Sequence, residues 1–511
     1  MSDLLENYLR ELRDIRRSGA ATPETSYYPA LSNLLNGVGQ PLRPPVRAVL
    51  QLANKGAGLP DGGLFTADQL RGSDDAAPLQ GQVPARGVIE AKPTSDDIDA
   101  VADSEQVARY LARYGLVLVT NYRDFVVVDR DPEGRARLGE RYRLAADERT
   151  FWAAASDPRS AAERHGARFF EYLSRVLRRN APLAAPKDVA FFLASYARDA
   201  NARIAQSGLA GLAPIRDALQ QTLGIQFQGA TGQDFFRSTL VQTLFYGIFS
   251  AWVLWSKALP LTSAARFDWR TSQWTLRVPV IRAIFEHISR PSHLEPLELV
   301  EVLDWTGDAL NRVDRPAFFG QFSQDQAVQY FYEPFLEAFD PDLRRTLGVW
   351  YTPPEVVAYM VERVDTVLRQ ELGIADGLAD PRVHVLDPCT GTGSFLVAVL
   401  RRIARTLRER GDDALLGEDL KRAAIDRVHG FELLPAPFVV AHLQIGLLLQ
   451  DLGAPFSDRT NERASVYLTN SLTGWDTAAE TAQLPMFPEL GAERDLARQV
   501  KHADPILVVI G

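Results

Sequence analysis

The residues best suited to chemistry lie in the last third of the chain. Val385-Leu-Asp-Pro-Cys-Thr-Gly-Thr-Gly-Ser-Phe-Leu reads as a buried strand ending in an acid, followed by a Gly-x-Gly turn that opens a helix. In an open α/β sheet, ligands bind outside the carboxyl ends of the strands, and glycine lets the backbone approach them closely. Asp387 at that strand end can accept hydrogen bonds from a ligand ammonium, and Gly391 and Gly393 leave room for the ligand's chain. The run lacks the third glycine of a dinucleotide fingerprint, which argues against a pyrophosphate ligand. One βα unit later, Gly430-Phe-Glu places Glu432 where a carboxylate accepts from both hydroxyls of a ribose. Beyond a third strand, Leu468-Thr-Asn offers Thr469 or Asn470 to an adenine edge, although a plain turn explains those residues equally well. Upstream, Tyr351-Thr-Pro-Pro-Glu reads as a capped helix start, with Thr352 as cap, Pro353 in the first turn and Glu355 closing a capping box. Such a helix end also attracts a ligand carboxylate.

A second set lies near the amino terminus, in Gly87-Val-Ile-Glu-Ala-Lys. Strand alternation puts Glu90 and Lys92 on one face, where they can converge on a phosphate. A solvated Glu/Lys face is the plain alternative, since the pattern is short and common.

The elements that must position these residues fall into three regions. Residues 1–150 mix helical stretches with β-rich runs, among them Gly115-Leu-Val-Leu-Val-Thr and Phe125-Val-Val-Val-Asp, and predict a small α/β domain. Residues 151–345 carry mostly helical periodicity and predict a helical spacer. In residues 346–511, Val383-His-Val-Leu, Val428-His-Gly-Phe, Ser465-Val-Tyr-Leu and Ile506-Leu-Val-Val-Ile alternate with helical patterns, which predicts a parallel, doubly wound sheet. His384 and His429 lie on these strands and read as core histidines, and the Trp252-Val-Leu-Trp segment as helix core.

Bulk properties narrow the function classes. The chain has 511 residues, 46% hydrophobic and 24% charged, too many for one core and too apolar for a disordered chain. No apolar run approaches the roughly 20 residues that span a bilayer, and the start does not read as a signal peptide, so a cytoplasmic protein without a membrane partner is expected. The single cysteine, Cys389, excludes an internal disulfide and a Cys-rich zinc site. A net charge of −9 argues mildly against a broad nucleic-acid surface. The basic groups cluster, as in Arg175-Val-Leu-Arg-Arg and Arg401-Arg-Ile-Ala-Arg, which read as solvated helix faces. No ATPase loop of the form Gly-x-x-x-x-Gly-Lys-Ser/Thr is present in the sequence.

Taken in order, Tyr351-Thr-Pro, Asp387-Pro-Cys-Thr-Gly-Thr-Gly-Ser-Phe, Gly430-Phe-Glu and Leu468-Thr-Asn resemble the cofactor motifs of N6-adenine DNA methyltransferases. They are most similar to those of large single-chain restriction-modification enzymes, including the type I single-polypeptide group. Tyr246-Gly-Ile-Phe and Phe331-Tyr-Glu-Pro-Phe resemble the helical spacer of those enzymes. The resemblance implies a Rossmann-like sheet and S-adenosylmethionine. Asp387, Pro388, Gly391, Gly393 and Phe395 would lie about its methionine part with Tyr351, Thr352 and Pro353, Glu432 on its ribose and Asn470 near its adenine. Relatives often have Ala-Cys or Ala-Thr where this chain has Cys389-Thr390.

Leu59-Pro-Asp-Gly followed by Gly87-Val-Ile-Glu-Ala-Lys resembles the PD-(D/E)XK nuclease pattern. Asp61, Glu90 and Lys92 would be its members, Asp61 and Glu90 its Mg²⁺ ligands, with Glu24 and the Gln106/Tyr110 pair extending the likeness. Double-stranded DNA is then the implied partner, and methylation with Mg²⁺-dependent cleavage the implied chemistry. The last strand is expected to lead into an Asn-Pro-Pro-Tyr loop that holds a flipped adenine, and the sequence stops before its Asn. The resemblance therefore implies that this polypeptide alone does not methylate DNA: either a second chain supplies the loop and the target-recognition domain, or the gene is truncated at its C-terminal end. The alternative is a non-catalytic DNA- or cofactor-binding remnant or subunit.

Overall fold

The computed structural model describes residues 2–511 except 21, 23, 53–57, 72–78, 80–81, 132–133, 209, 277, 323–330, 341–351, 412–414, 458–461 and 476–486. It divides into two compact units, Met1–Pro182 and Leu183–Gly511.

In the first unit, strands β1 (Val46–Leu50), β2 (Gly62–Thr66), β3 (Val88–Ala91), β4 (Val117–Thr120), β5 (Asp124–Arg130) and β6 (Ala136–Arg143) form one six-stranded sheet in sequential order. All neighbours are antiparallel except β3 and β4. Both β3 and β4 are buried throughout, because helices cover both sheet faces. On one face Val88, Val117, Val119, Val126 and Val128 pack with Val107, Tyr110, Leu111 and Tyr114 of the helix Glu105–Tyr114. That helix is capped by Ser104, whose side chain accepts from the Val107 amide, and ends at Gly115 in the left-handed region. On the other face Phe125 meets Tyr8 and Phe169, from the helices Ser2–Arg17 and Pro158–Arg178.

The arginine cluster of the helix Pro158–Arg178 corrects the expectation of a solvated face. Arg175 is fully buried and its Nε donates to Glu140 Oε2 at 2.9 Å, while Arg179 donates to Glu140 Oε1 and Asp129 Oδ2, each at 2.8 Å. The charges lie inward because β6 presents Glu140 to the helix, and a buried carboxylate requires a partner.

The second unit has one continuous core running from Leu183 to Ile510, so its helical portion and its sheet are not separate hydrophobic bodies. The helix Gly229–Lys257 meets the length and composition of a membrane span, but 89% of its most apolar window is buried in this core, against the helices Pro186–Ser207 and Pro435–Asp451. Trp252 on it is fully buried, as expected for helix core. Strands β7 (His384–Asp387), β8 (Val428–Glu432), β9 (Val466–Leu468) and β10 (Ile506–Val509) form a parallel sheet in the order β10-β7-β8-β9. The four strands read from the sequence are all present. From β7 the chain winds outward to β8 and β9 and then returns to the other flank of β7 as β10. The direction of winding therefore reverses at β7, the place in such sheets where ligands bind outside the carboxyl ends of the strands.

Candidate functional site

Parallel register aligns the two acids of the second unit on one rim. Asp387 is paired with Gly430, and Glu432 follows two residues along β8. Asp387 is 1% exposed; its Oδ1 accepts from the Cys389 amide at 3.0 Å, and its Oδ2 is buried without a hydrogen-bond partner among the described residues. Burial pushes its carboxyl up to about 7. The Glu432 carboxylate accepts from the Gly391 amide and from the Leu434 amide, both at 2.7 Å, and burial also raises it to about 7 against those two donors. Burial, followed by the charges of Asp387 and Glu432, raises the Cys389 thiol.

The turn that joins these acids requires its glycines. Gly393 has φ +90°, and a Cβ there would lie 3.2 Å from the Ala441 Cα on the neighbouring helix. Gly391 has φ +54° and sends its amide to Glu432. The helix Ser394–Glu409 starts directly after Gly393. Gln444 holds the turn from behind, donating to the Thr392 carbonyl at 2.5 Å.

The remaining sequence-predicted residues have mixed placements. Pro388 sits in the turn, and its carbonyl accepts from the Ser471 hydroxyl. Phe395 points into the core and is buried. Asn470 is on the same rim after β9, but its Nδ2 donates to the Leu223 carbonyl at 3.2 Å and its Oδ1 accepts from the Leu472 amide at 3.0 Å. An adenine edge would have to displace one of those contacts. Tyr351 lies outside the described residues. The capping box expected at Thr352 does not form: the helix Pro354–Gln370 is capped by Pro353, with no side-chain cap, because Pro354 takes the first helical position. Thr352 and Pro353 instead line a cavity of about 730 Å³ with Ser394, Gln444 and Arg401, and neither Asp387 nor Glu432 lines it.

Lys501 was not singled out by the sequence. Its ammonium donates to Thr469 Oγ1 at 3.1 Å and to the carbonyls of Asn470 and Thr473 at 2.8 Å, bracing the loop that follows β9, and burial lowers it to about 8. It belongs to a helix 28 to 32 residues farther along, so no local spacing announces it.

In the first unit the pairing of Gly62 with Ile89 sets Asp61 abreast of Glu90. Asp61 Oδ2 accepts from the Ala91 amide at 2.8 Å, and Oδ1 accepts from the Tyr28 hydroxyl at 2.7 Å. The same hydroxyl lies 3.1 Å from Glu24 Oε1. Glu90 is 1% exposed, its Oε1 accepts from Lys92 Nζ at 2.5 Å, and its Oε2 is buried without a partner among the described residues. Burial and then Asp61 raise Glu90 to about 7, with Lys92 opposing them. Burial pulls the Lys92 ammonium down, but Glu90, Asp61 and Glu24 outweigh it and leave it above its ordinary value. Gln106 Nε2 lies 3.1 Å from the Tyr110 hydroxyl, and Tyr110 is near enough to feel the charges of Glu90, Asp61 and Lys92. Asp61, Glu90, Lys92, Glu24, Tyr110 and Gln106 thus form one cluster. Tyr28 is the member that the sequence did not reveal, 33 residues from Asp61.

The second unit thus carries a glycine turn and two buried acids on the carboxyl rim of a parallel sheet. Residues 323–429 match the N-6 DNA Methylase family model, a family that implies S-adenosylmethionine as methyl donor. No curated protein matches the chain. Among solved structures, the chain is similar to DrdV in a cryoEM complex with DNA, at 21% identity and TM-score 0.42, over 100% of this chain and 43% of that one. It is also similar to a nuclease-deletion mutant of the Type ISP restriction-modification enzyme LlaGI with a DNA substrate mimic, at 20% identity and TM-score 0.42, over 71% and 28% of the two chains. The ATP-dependent Type ISP enzyme LlaBIII bound to DNA is 19% identical with TM-score 0.42, over 71% and 22%. The chain spans less than half the length of each.

Proposed function

We propose that Leu183–Gly511 binds S-adenosylmethionine at the carboxyl rim of β7 and β8 and serves adenine-N6 methylation of double-stranded DNA within a restriction-modification protein. The observation that carries this reading is the orphaned, buried Asp387 Oδ2 beside a glycine turn. A buried carboxylate oxygen without a donor calls for a cationic ligand group, which the amino-acid end of the cofactor provides. Glu432 keeps lone pairs beyond those given to Gly391 and Leu434, enough for two ribose hydroxyls. Gly391 and Gly393 keep side chains out of the ligand's path. The cofactor, once bound, supplies an electrophilic methyl group. The chain's own part is to fix the donor through Asp387 and Glu432 and to hold the rim loop through Lys501.

We also read Met1–Pro182 as a PD-(D/E)XK nuclease unit that cleaves DNA with Mg²⁺, with Asp61 and Glu90 as ligands and Lys92 beside the scissile phosphate. The support is the partnerless Glu90 Oε2 abreast of Asp61, a pair of hard oxygen donors on adjacent strands. Tyr28 orients Asp61, and Gln106 orients Tyr110. Both activities fit a cytoplasmic protein.

Equilibrium dialysis of the full chain against labelled S-adenosylmethionine tests the principal reading. Saturable binding of about one equivalent, competed by S-adenosylhomocysteine, is expected. A folded chain that retains no label would remove the proposal.

A further inference from the structure

A second polar cluster occupies the opposite, amino rim of the same parallel sheet. His384 opens β7, His429 lies on β8, and Asp504 sits two residues before β10. His429 Nε2 is 3.4 Å from His384 Nδ1 and 3.2 Å from Asp504 Oδ2, and one ligand atom from each residue lies within 4.8 Å of the others. His429 is 2% exposed, whereas His384 and Asp504 are half-buried, so the cluster is walled on one side and open on the other.

The hydrogen bonds around His429 fix which nitrogen faces inward. Ser465 donates its hydroxyl proton to the Tyr467 hydroxyl at 2.9 Å. Its oxygen is therefore left to accept from His429 Nδ1, 2.7 Å away. With the ring proton on Nδ1, the Nε2 lone pair points at an imidazole nitrogen and a carboxylate oxygen. Electron pairs gathered this closely in a buried place are relieved by a shared proton or by a metal cation among them. The spacing suits the metal: in tetrahedral coordination with metal–ligand distances of about 2.0–2.1 Å, ligand atoms stand about 3.3–3.5 Å apart.

We propose that His384, His429 and Asp504 form a binding site for a divalent transition metal, with Zn²⁺ the expected ion and a water in its fourth position. Two imidazoles and one carboxylate match the borderline softness of Zn²⁺, and Ser465 acts as the outer partner that orients His429. The ion would tie together the three strands that meet at the centre of the sheet. Its anchoring of Asp504 bears most on β10, which pairs only with β7 among the described strands and does so with a register shift. At its far end β10 runs on to Gly511, against the Asp387 carboxylate. The site is separate from the methyl-donor rim and stands whether or not that rim binds its ligand.

Metal analysis of the untagged full chain tests this. The protein is stripped with a chelator, dialysed against Zn²⁺, passed through gel filtration and measured for bound zinc and melting temperature. Expected are about one retained zinc per chain and a higher melting temperature for the loaded protein. His384→Ala and Asp504→Asn should each lose the zinc and the shift, while melting as the stripped parent does. Ser465→Ala, which removes the hydrogen bond to His429 Nδ1 but no metal ligand, should weaken Zn²⁺ by about 10- to 100-fold. The proposal is overturned if the parent retains no zinc, or if both ligand variants retain it as fully as the parent.

Discussion

Replacing Asp387 by asparagine keeps the size of the side chain and the oxygen that accepts from Cys389, and exchanges the charged Oδ2 for a neutral amide nitrogen. Burial lifts this carboxyl from its ordinary 3.8 to about 7, and at about 1.4 kcal/mol per pKa unit that displacement corresponds to a cost of order 4 kcal/mol for keeping the ligand-free carboxylate ionised. The folded form holds its proton more tightly than the unfolded form. Stability therefore falls as pH rises from about 4 to about 7, and above that the full cost is present. An asparagine is neutral throughout, but its amide nitrogen takes the place of the partnerless Oδ2 and costs roughly 1–3 kcal/mol. At pH 8 the ligand-free variant should therefore be more stable than the parent by about 1–3 kcal/mol, and at pH 4 it should be no more stable. Binding of S-adenosylmethionine should move the other way. Losing one charge-assisted hydrogen bond to the ligand ammonium, worth about 1.5–3 kcal/mol, weakens it roughly 10- to 150-fold. The parent's affinity should also rise about tenfold per pH unit between pH 5 and 7 as Asp387 loses its proton, and the variant's should rise less steeply. Denaturant melts at pH 4 and 8 with calorimetric titrations across the range read all of this. A variant that is less stable at pH 8 and binds as tightly as the parent would show that Asp387 is a structural acid, and the reasoning from its orphaned oxygen would be wrong.

Glu90→Gln should abolish Mg²⁺-dependent DNA cleavage with little change in the melting temperature; because Glu90 is raised to about 7, stabilisation of the parent by Mg²⁺ should be small at pH 6 and grow through pH 8. Cleavage unchanged in that variant removes the nuclease assignment. Arg175→Met should destabilise the first unit by about 3–5 kcal/mol in urea unfolding, since it takes one of two guanidinium partners from the buried Glu140; a loss under 1 kcal/mol would mean that Arg179 alone suffices.

The linear order of residues determined the strands, the turn and the acids of this protein, because those depend on short-range periodicity and on glycine's access to positive φ. Val383-His-Val-Leu, Val428-His-Gly-Phe and Ile506-Leu-Val-Val-Ile are short apolar runs set between helical patterns, which marks them as strands, with Asp387 and Glu432 at strand ends and Gly391 and Gly393 in the turn that follows. Burial and pairing across long separations were decided only in three dimensions. Arg175 has the look of a surface arginine until β6 brings Glu140 to it, 35 residues away, and the desolvation of that acid draws the guanidinium inward. Tyr28 meets Asp61 because a helix and a strand 33 residues apart share one edge. His384 and His429 read singly as core histidines, and no motif singles out Asp504. Parallel strand order, which no local pattern specifies, stacks their amino ends within hydrogen-bond reach. Thr352 had the residues of a capping box and did not form one, since Pro354 keeps the preceding Pro353 out of the helical region, at ψ 136°, and so moves the helix start by one residue.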